Sequence, residues 1–357
     1  MKGIYNYSDV ANKIIEILIK ESESIKFRIK NAMKIAKDLH LEREAFFGAI
    51  KQSEVLDNLI KELITTNKNE TFDQFQIGAR LRNVFSLYPN NLNLLNAIYI
   101  IFRIKNLDVI NKIQREISDF LVVHISCESR IDKSLQSIES FSPTTPSESH
   151  IILMGCDTAD DFKISFLNNT IYAPVDDSYS GLYAKTMYLS FILSSLPEPP
   201  RLMAKLDDDI CLNNRSQFDK VISNLMGSEY SYFGYPVLPN HHKNYWHGWH
   251  VGKCSSPKVE MKGIQVPLPA KYAVGGAGYF LKKSAIKELS YCFLSQQEFI
   301  SANCFMPEDA LVGLHLQLAG YQLGSLREGY ADNVGLSGRW YHDFNERCRD
   351  WAKFIPP

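Results

Sequence analysis

Three consecutive aspartates, Asp207-Asp208-Asp209, and a later acidic pair, Glu308-Asp309, are the residues of this chain best suited to chemistry. Carboxylates held side by side repel one another until a cation or a proton relieves them. Their oxygen donors suit a hard divalent ion such as Mg²⁺ or Mn²⁺, and an ion held there can stabilise a departing diphosphate. The plain alternative is a solvated acidic turn that caps the next helix. The flanks favour a site. Arg201-Leu202-Met203-Ala204-Lys205-Leu206 leads into the triplet and Ile210-Cys211-Leu212 follows it, and an exposed turn needs no such apolar frame. Glu308-Asp309 opens a helical run, where both acids are also explained by the positive end of the helix dipole.

These residues must be positioned by a scaffold, and the chain divides in two by pattern. Up to about Ser118, apolar residues recur at helical spacing: Ile25, Ile29, Met33 and Ala36, then Val55, Leu56, Leu59, Ile60 and Leu63. Glycine is scarce and polar breaks separate the runs. Tyr88-Pro89-Asn90-Asn91 looks like the turn of a helix hairpin. No internal period supports a repeat array, so a small all-helical N-terminal domain over 1–118 is the expectation. From Phe120 the pattern becomes that of an α/β domain over 119–357. Leu121–Ser126, His150–Gly155 and Arg201–Leu206 read as buried parallel strands, with helices expected over 131–141 and 183–194. The triplet then falls at the carboxyl end of a strand, where open α/β sheets bind ligands.

Composition narrows the function classes. Lys+Arg number 39 against 40 Asp+Glu, so no bulk electrostatic grip on nucleic acid is expected. The hydrophobic share of 45% is enough for a real core. The 7 cysteines are odd in number and form no CxxC pair, which points to reduced thiols and a cytoplasmic setting. The sequence starts without a secretory pattern. Its most apolar stretch, Leu92–Phe102, is too short to cross a bilayer and runs into Arg103 and Lys105. We therefore expect no transmembrane segment, with membrane contact limited to the surface.

Four segments in order resemble one family. Lys205-Leu206-Asp207-Asp208-Asp209-Ile210-Cys211-Leu212-Asn213 resembles the Lys-x-Asp-Asp-Asp-x-x-x-Asn segment of the β-1,3-galactosyltransferase and Fringe-like glycosyltransferases (glycosyltransferase family 31). Asp177-Ser178-Tyr179-Ser180-Gly181-Leu182-Tyr183-Ala184-Lys185-Thr186 resembles its Asp-Ser-Tyr-x-x-Leu-x-x-Lys-Thr segment. Tyr272-Ala273-Val274-Gly275-Gly276-Ala277-Gly278-Tyr279 resembles its Tyr-x-x-Gly-Gly-x-Gly-Tyr segment, and Glu308-Asp309-Ala310-Leu311-Val312-Gly313 its Glu-Asp-x-x-x-Gly segment. The similarity covers Phe120 onward. It implies a GT-A type, Rossmann-like fold, a UDP-sugar donor, Mn²⁺ (or Mg²⁺) and inversion at the anomeric carbon. Animal members carry a membrane anchor and lumenal disulfides. This chain shows neither, and so resembles a bacterial, cytoplasmic member acting in surface polysaccharide synthesis.

The resemblance also implies roles. Asp209 would contact the metal directly, with Asp207 and Asp208 supporting it and the bound donor. His342 would be a further metal ligand, although a histidine packed beside Trp340, Tyr341 and Phe344 explains it as well. Asp309 would be the general base, with Glu308 beside the substrate. Gly275 and Gly276 would let the backbone approach a sugar, or simply form a tight turn. Lys185 and Arg130 are cations near the donor segments, and for Arg130 a surface role is at least as good. His241–His250, with Trp246 and Trp249, reads equally as an acceptor-facing aromatic loop or a partly buried one. Its histidines lack the paired spacing of a zinc site.

The expected reaction is transfer of a hexose or N-acetylhexosamine (galactose, GlcNAc or GalNAc) to a glycan or lipid-linked oligosaccharide hydroxyl in a β-1,3 linkage. Two other readings stand beside it: a metal-dependent nucleotidyl- or phosphotransferase, and a helical interaction protein with an inactive transferase domain. Self-association through the N-terminal helices is a further expectation.

Overall fold

The structure, a computed structural model, describes residues 7–38, 53–61, 82, 85, 92–142, 148–156, 162–178, 181–237, 271–296, 308–326 and 334–338. It forms two compact units, one of residues 1–106 with 160–162 and the other of 107–159 with 163–357.

The described residues of the first unit are mainly helical. Its α1 spans Tyr7–Asp38, a further helical stretch covers 53–61, and α2 spans Leu92–Lys105. Ile15, Leu18 and Ile25 of α1 are buried while Glu16, Lys20 and Lys26 are exposed, the one-sided stripe that the sequence periodicity predicts. Ser22 and Lys26 both donate to Asp57 of the 53–61 stretch, at 2.5 and 2.7 Å.

The helix α3, Leu107–Glu116, lies before the expected boundary at 118 but clusters with the second unit, where its Ile110 and Ile113 are buried. That unit is mixed α/β. An eight-stranded sheet is built from β1 (Phe120–Ile125), β2 (Glu148–Gly155), β3 (Ser165–Leu167), β4 (Thr170–Ala173), β5 (Leu202–Asp207), β7 (Tyr232–Gly234), β10 (Tyr279–Lys282) and β11 (Leu323–Ser325). The strand order is β11-β7-β10-β5-β1-β2-β4-β3. β1 pairs in parallel with both β2 and β5, so the three strands expected from the sequence form its centre. β10 is antiparallel to β5 and β7, and β3 is antiparallel to β4. Two small pairings lie outside this sheet: β6 (Cys211–Leu212) with β12 (Leu336–Ser337), and β8 (Pro236–Val237) with β9 (Tyr272–Ala273).

Among the described residues, five more helices belong to this unit: α4 (Ile131–Ser140), α5 (Leu182–Ser195), α6 (Arg215–Gly227), α7 (Lys283–Ser295) and α8 (Glu308–Leu318). α5 is apolar on every side and almost wholly buried, as a helix packed between other elements must be. α6 starts where Asn214 accepts the Gln217 N–H at 3.1 Å, a side-chain cap for an otherwise orphaned donor. One core cluster packs β1, β5 and β10 against α6 through Phe120, Val122, Ala204, Phe218, Val221 and Phe280. Among the described residues, no helix is long and apolar enough to cross a membrane, and Cys127, Cys156, Cys211 and Cys292 are free thiols.

Candidate functional site

β5 delivers the acidic triplet. Its side chains are buried up to Leu206, and Asp207, the last strand residue, emerges half-buried opposite Ile125 of β1. Asp208 is buried and pairs with Arg130 from the short 3-10 turn Glu128–Arg130. Burial pushes the Asp208 carboxyl above its usual range even against the pull of Arg130. Asp209 is half-buried, and its nearest ion-pair contact among the described residues is Arg130 at 3.9 Å. Burial and the neighbouring charge of Asp207 push it up as well. This is the frustration that a divalent cation would remove.

Lys205 faces the interior one strand position before the turn of the chain toward solvent. Its Nζ donates to Asp207 at 2.6 Å and lies 3.5 Å from Glu308. Burial disfavours its charge, yet Asp207 and Glu308 more than offset this and its pKa is raised. Glu308 itself is 4% exposed. One of its oxygens accepts from Thr186 of α5 at 3.0 Å and from the Tyr279 hydroxyl of β10. The pair Glu308-Asp309 is thereby fastened to the same end of β5 as the triplet.

Asp309 is half-buried at the first turn of α8. One carboxylate oxygen accepts the Gly275 N–H at 2.8 Å and the other accepts the Ala310 N–H at 2.9 Å. Burial, then the charge of Glu308, raises its pKa to about 7, with the two N–H donors and Lys205 pulling the other way. A carboxylate poised there can take a proton near neutral pH.

The glycine segment forms a 3-10 turn, Gly275–Ala277, between β9 and β10. A Cβ on Gly275 would lie 3.1 Å from the Asp309 Cβ and 3.2 Å from a Glu308 oxygen, so glycine is what lets this backbone reach the carboxylate. Gly276 is half-buried in the same turn. Gly278 has φ 78°, a left-handed conformation that glycine takes without a steric penalty, and a Cβ there would lie 2.6 Å from a Leu206 methyl and 3.0 Å from Lys205 O.

Lys185 lies on α5, 2% exposed. Its ammonium donates to Ser126 O at 2.7 Å, to Asp177 O at 2.9 Å and to Asp177 Oδ1 at 2.7 Å, which occupies its three hydrogens. Asp177 also accepts the N–H groups of Glu128 at 2.8 Å and Gly155 at 2.7 Å. The pair therefore ties together the carboxyl ends of β1 and β2.

The structure thus gathers Arg130, Asp207, Asp208, Asp209, Gly275, Glu308 and Asp309 at one end of the sheet. Trp246, Trp249 and His342 lie outside the described residues. Among the described residues, no group of three or more His, Cys, Asp or Glu side chains stands close enough to hold a metal by itself. Asp207 and Asp209 would form an incomplete set that ligand oxygens and water would have to finish. A cavity of about 580 Å³ lies elsewhere, lined by Asn224, Tyr230, Tyr232, Gln317, Tyr321 and Gln322, and shares no residue with the acidic group.

Sequence reading did not assign roles to Lys205, Thr186 and Tyr279. A signal for Lys205 was present: a lone charge inside an apolar strand needs a buried partner. Thr186 and Tyr279 stood there only as motif positions without a role, because their hydroxyls become meaningful only once Glu308 is placed between them.

No protein-family model matches the chain, and no curated protein matches it. Among solved structures, one that matches is mouse xyloside xylosyltransferase 1 in its apo form, at 11% sequence identity and a TM-score of 0.31. The match covers 61% of this chain and 96% of that one. So distant a likeness carries no argument about activity, and the chemistry rests on the residues described above.

Proposed function

We propose that the second unit is a divalent-cation-dependent, inverting glycosyltransferase that moves a hexose or N-acetylhexosamine from a UDP-sugar to a glycan hydroxyl. The observation that carries this reading is the position of Lys205 Nζ, 2.6 Å from Asp207 and 3.5 Å from Glu308. Through that contact the triplet and the Glu308-Asp309 pair share one end of the sheet, as a single reaction would require.

Asp207 and Asp209 would hold Mn²⁺ or Mg²⁺, with Asp208 kept in place by Arg130. The cation would supply electrostatic stabilisation of the leaving diphosphate. Arg130 keeps guanidinium surface free, its side chain being 43% exposed, and can add a donor to a phosphate oxygen. Asp309 would accept the proton of the attacking hydroxyl. That oxygen would bond to the anomeric carbon as the bond from this carbon to the diphosphate breaks, and UDP leaves with the electron pair. Glu308, enclosed by Thr186, Tyr279 and Lys205, would tune Asp309 by its charge. His342 is a proposed further ligand of the cation. β-1,3 is the proposed linkage, from the resemblance; a lipid-linked oligosaccharide is the proposed acceptor and the cytoplasm or membrane face the proposed place of action, from the cysteine usage and the lack of a secretory pattern.

The test is turnover of a panel of UDP-sugars with Mn²⁺, with products separated by chromatography and anomers assigned by NMR. UDP release with inverted configuration is the expected result. Release of UMP would favour nucleotidyl transfer, and a retained anomer would remove Asp309 from its role. The absence of any UDP binding with Mn²⁺ in calorimetry would leave an inactive domain.

A further inference from the structure

A buried polar chain runs from β2 to the backbone just after the triplet. Arg215 pairs with Glu148 at 2.5 Å, Glu148 meets His150 Nε2 at 2.6 Å, His150 Nδ1 lies 3.2 Å from His124 Nε2, and His124 Nδ1 lies 3.1 Å from Ser137 Oγ. Ser137 in turn donates to the carbonyl of Ile210. Glu148, His150, His124 and Ser137 are all buried. No step of the proposed reaction uses them.

Hydrogen counting gives the chain a direction. The Ser137 hydroxyl has one hydrogen, and the Ile210 carbonyl can only accept it. Toward His124 the hydroxyl must therefore accept, so His124 carries its hydrogen on Nδ1. Burial and the adjacent His150 push the His124 pKa down to about 3, so His124 is neutral and its Nε2 is bare. His150 Nδ1 must then donate. Burial works against the Glu148 carboxylate, but hydrogen bonds from His150 and Arg215 hold it below its usual range, so His150 Nε2 faces an acceptor and donates too. Among the described residues, the charged and titratable groups around His150 are His124, Glu148 and Arg215, the last also 3.4 Å from Asp219.

Helix α4 lies along the segment that follows the triplet. Arg130, just before α4, holds Asp208, and Ser137 holds the Ile210 carbonyl. Ser140 Oγ accepts the Leu212 N–H at 2.8 Å, and Arg215 donates to the carbonyl of Phe141. Ile210 is the residue directly after Asp209, and its carbonyl, part of the Ile210–Cys211 peptide, anchors the chain one residue beyond the Asp209 Cα.

We propose that Ser137 is a positioning residue for the acidic loop, latched onto Ile210 by the hydrogen order that Glu148, His150 and His124 impose. The inference rests on the reading of Asp207 and Asp209 as cation ligands. If the hydrogen order were reversed, His124 would carry its hydrogen on Nε2. Its Nδ1 would then be bare, and the Ser137 hydroxyl would turn to it and release the Ile210 carbonyl. A loop that spends less time in the binding geometry binds its ion more weakly in proportion.

Mn²⁺ binding to the full chain, measured by calorimetry, tests this with Ser137→Ala, Ser137→Thr, Glu148→Gln and Ser134→Ala. Ser134 lies on the same helix, is equally buried, and its hydroxyl has no hydrogen-bond partner among the described residues, so it reports on packing alone. Ser137→Ala should weaken Mn²⁺ by about fivefold, the effect of one lost hydrogen bond, while Ser137→Thr restores the affinity. Glu148→Gln removes the carboxylate that faces His150 Nε2 and sets the hydrogen order of the chain, and should weaken Mn²⁺ in the same direction, which covers the case in which Ser137→Ala fails to fold. Ser134→Ala should bind like the wild type. Wild-type affinity in both Ser137→Ala and Glu148→Gln, or an equal loss in Ser134→Ala, overturns the latch alone. A wild type that takes up no Mn²⁺ overturns the metal reading and the latch together.

Discussion

The ammonium of Lys205 stands 3.5 Å from a carboxylate oxygen of Glu308, and this contact joins the end of β5 to the first turn of α8. Lysine is rarely buried without a compensating charge. Here two carboxylates share it, since Asp207 lies 2.6 Å away on the other side. Replacing it with methionine should cost about 3–5 kcal/mol, because two acids are left facing one another without a cation. Denaturant unfolding of Lys205→Met checks this. A loss below about 1 kcal/mol would mean that the contact is incidental to the fold.

Asp309 sets the expected pH dependence. Its pKa is raised from 3.8 to about 7 by burial and by Glu308, so the fraction able to accept a proton, and the rate with it, should climb as pH passes through about 7. Asp309→Asn should lower turnover by about 10²–10⁴-fold. A flat pH profile between 5.5 and 8.5, about 1.5 units either side of that value, would remove the carboxylate from the proton transfer.

The same shift predicts a stability gain from that variant. In the unfolded chain Asp309 loses its proton near 3.8, whereas in the folded chain it keeps it to about 7. Rising pH across that window therefore favours the unfolded state, and the penalty is complete above it. Asp309→Asn should accordingly raise Tm at pH 8 and leave it nearly unchanged at pH 4. Equal Tm differences at both values would show that ionisation is not the cause.

Gly275→Ala should separate position from folding. The added Cβ meets Asp309 at 3.1 Å and Glu308 at 3.2 Å, close enough to displace a carboxylate by a few tenths of an ångström. We expect an intact fold by circular dichroism and a kcat lower by at least about tenfold, since small misplacements at a reacting centre are costly. An alanine variant with wild-type kcat would show that the close approach serves only the turn.

Metal removal has its own signature. Mn²⁺ should raise the Tm of the wild type, since an ion that binds only the folded state stabilises it by mass action. Asp209→Asn should lose most of that rise while its metal-free Tm holds or increases, because the repulsion from Asp207 is gone. The same Mn²⁺-dependent rise in the variant would move the ion away from Asp209.

Much of the scaffold was legible in the chain itself. Short, mostly apolar runs at 121–126, 150–155 and 201–206 became β1, β2 and β5, because a strand covered on both faces is built chiefly from apolar residues. The direction of β10 was not legible, since a short apolar run looks the same whichever way it pairs. Nor was the grouping of α3 with the sheet unit, which depends on where Ile110 and Ile113 find apolar neighbours.

The sequence by itself determined which residues carry charge and on which kind of element each stands, because periodicity and local sterics act over a few neighbours. Only the tertiary structure decided what those charges face. Lys185 turned inward to Asp177, Lys205 came to bridge Asp207 and Glu308, and His124 stacked against His150. Apart from Lys205 and Asp207, two residues apart on β5, these pairs bring together distant parts of the fold, and the strength of a charge or hydrogen-bond contact depends on distance and burial in space, which spacing along the chain does not encode.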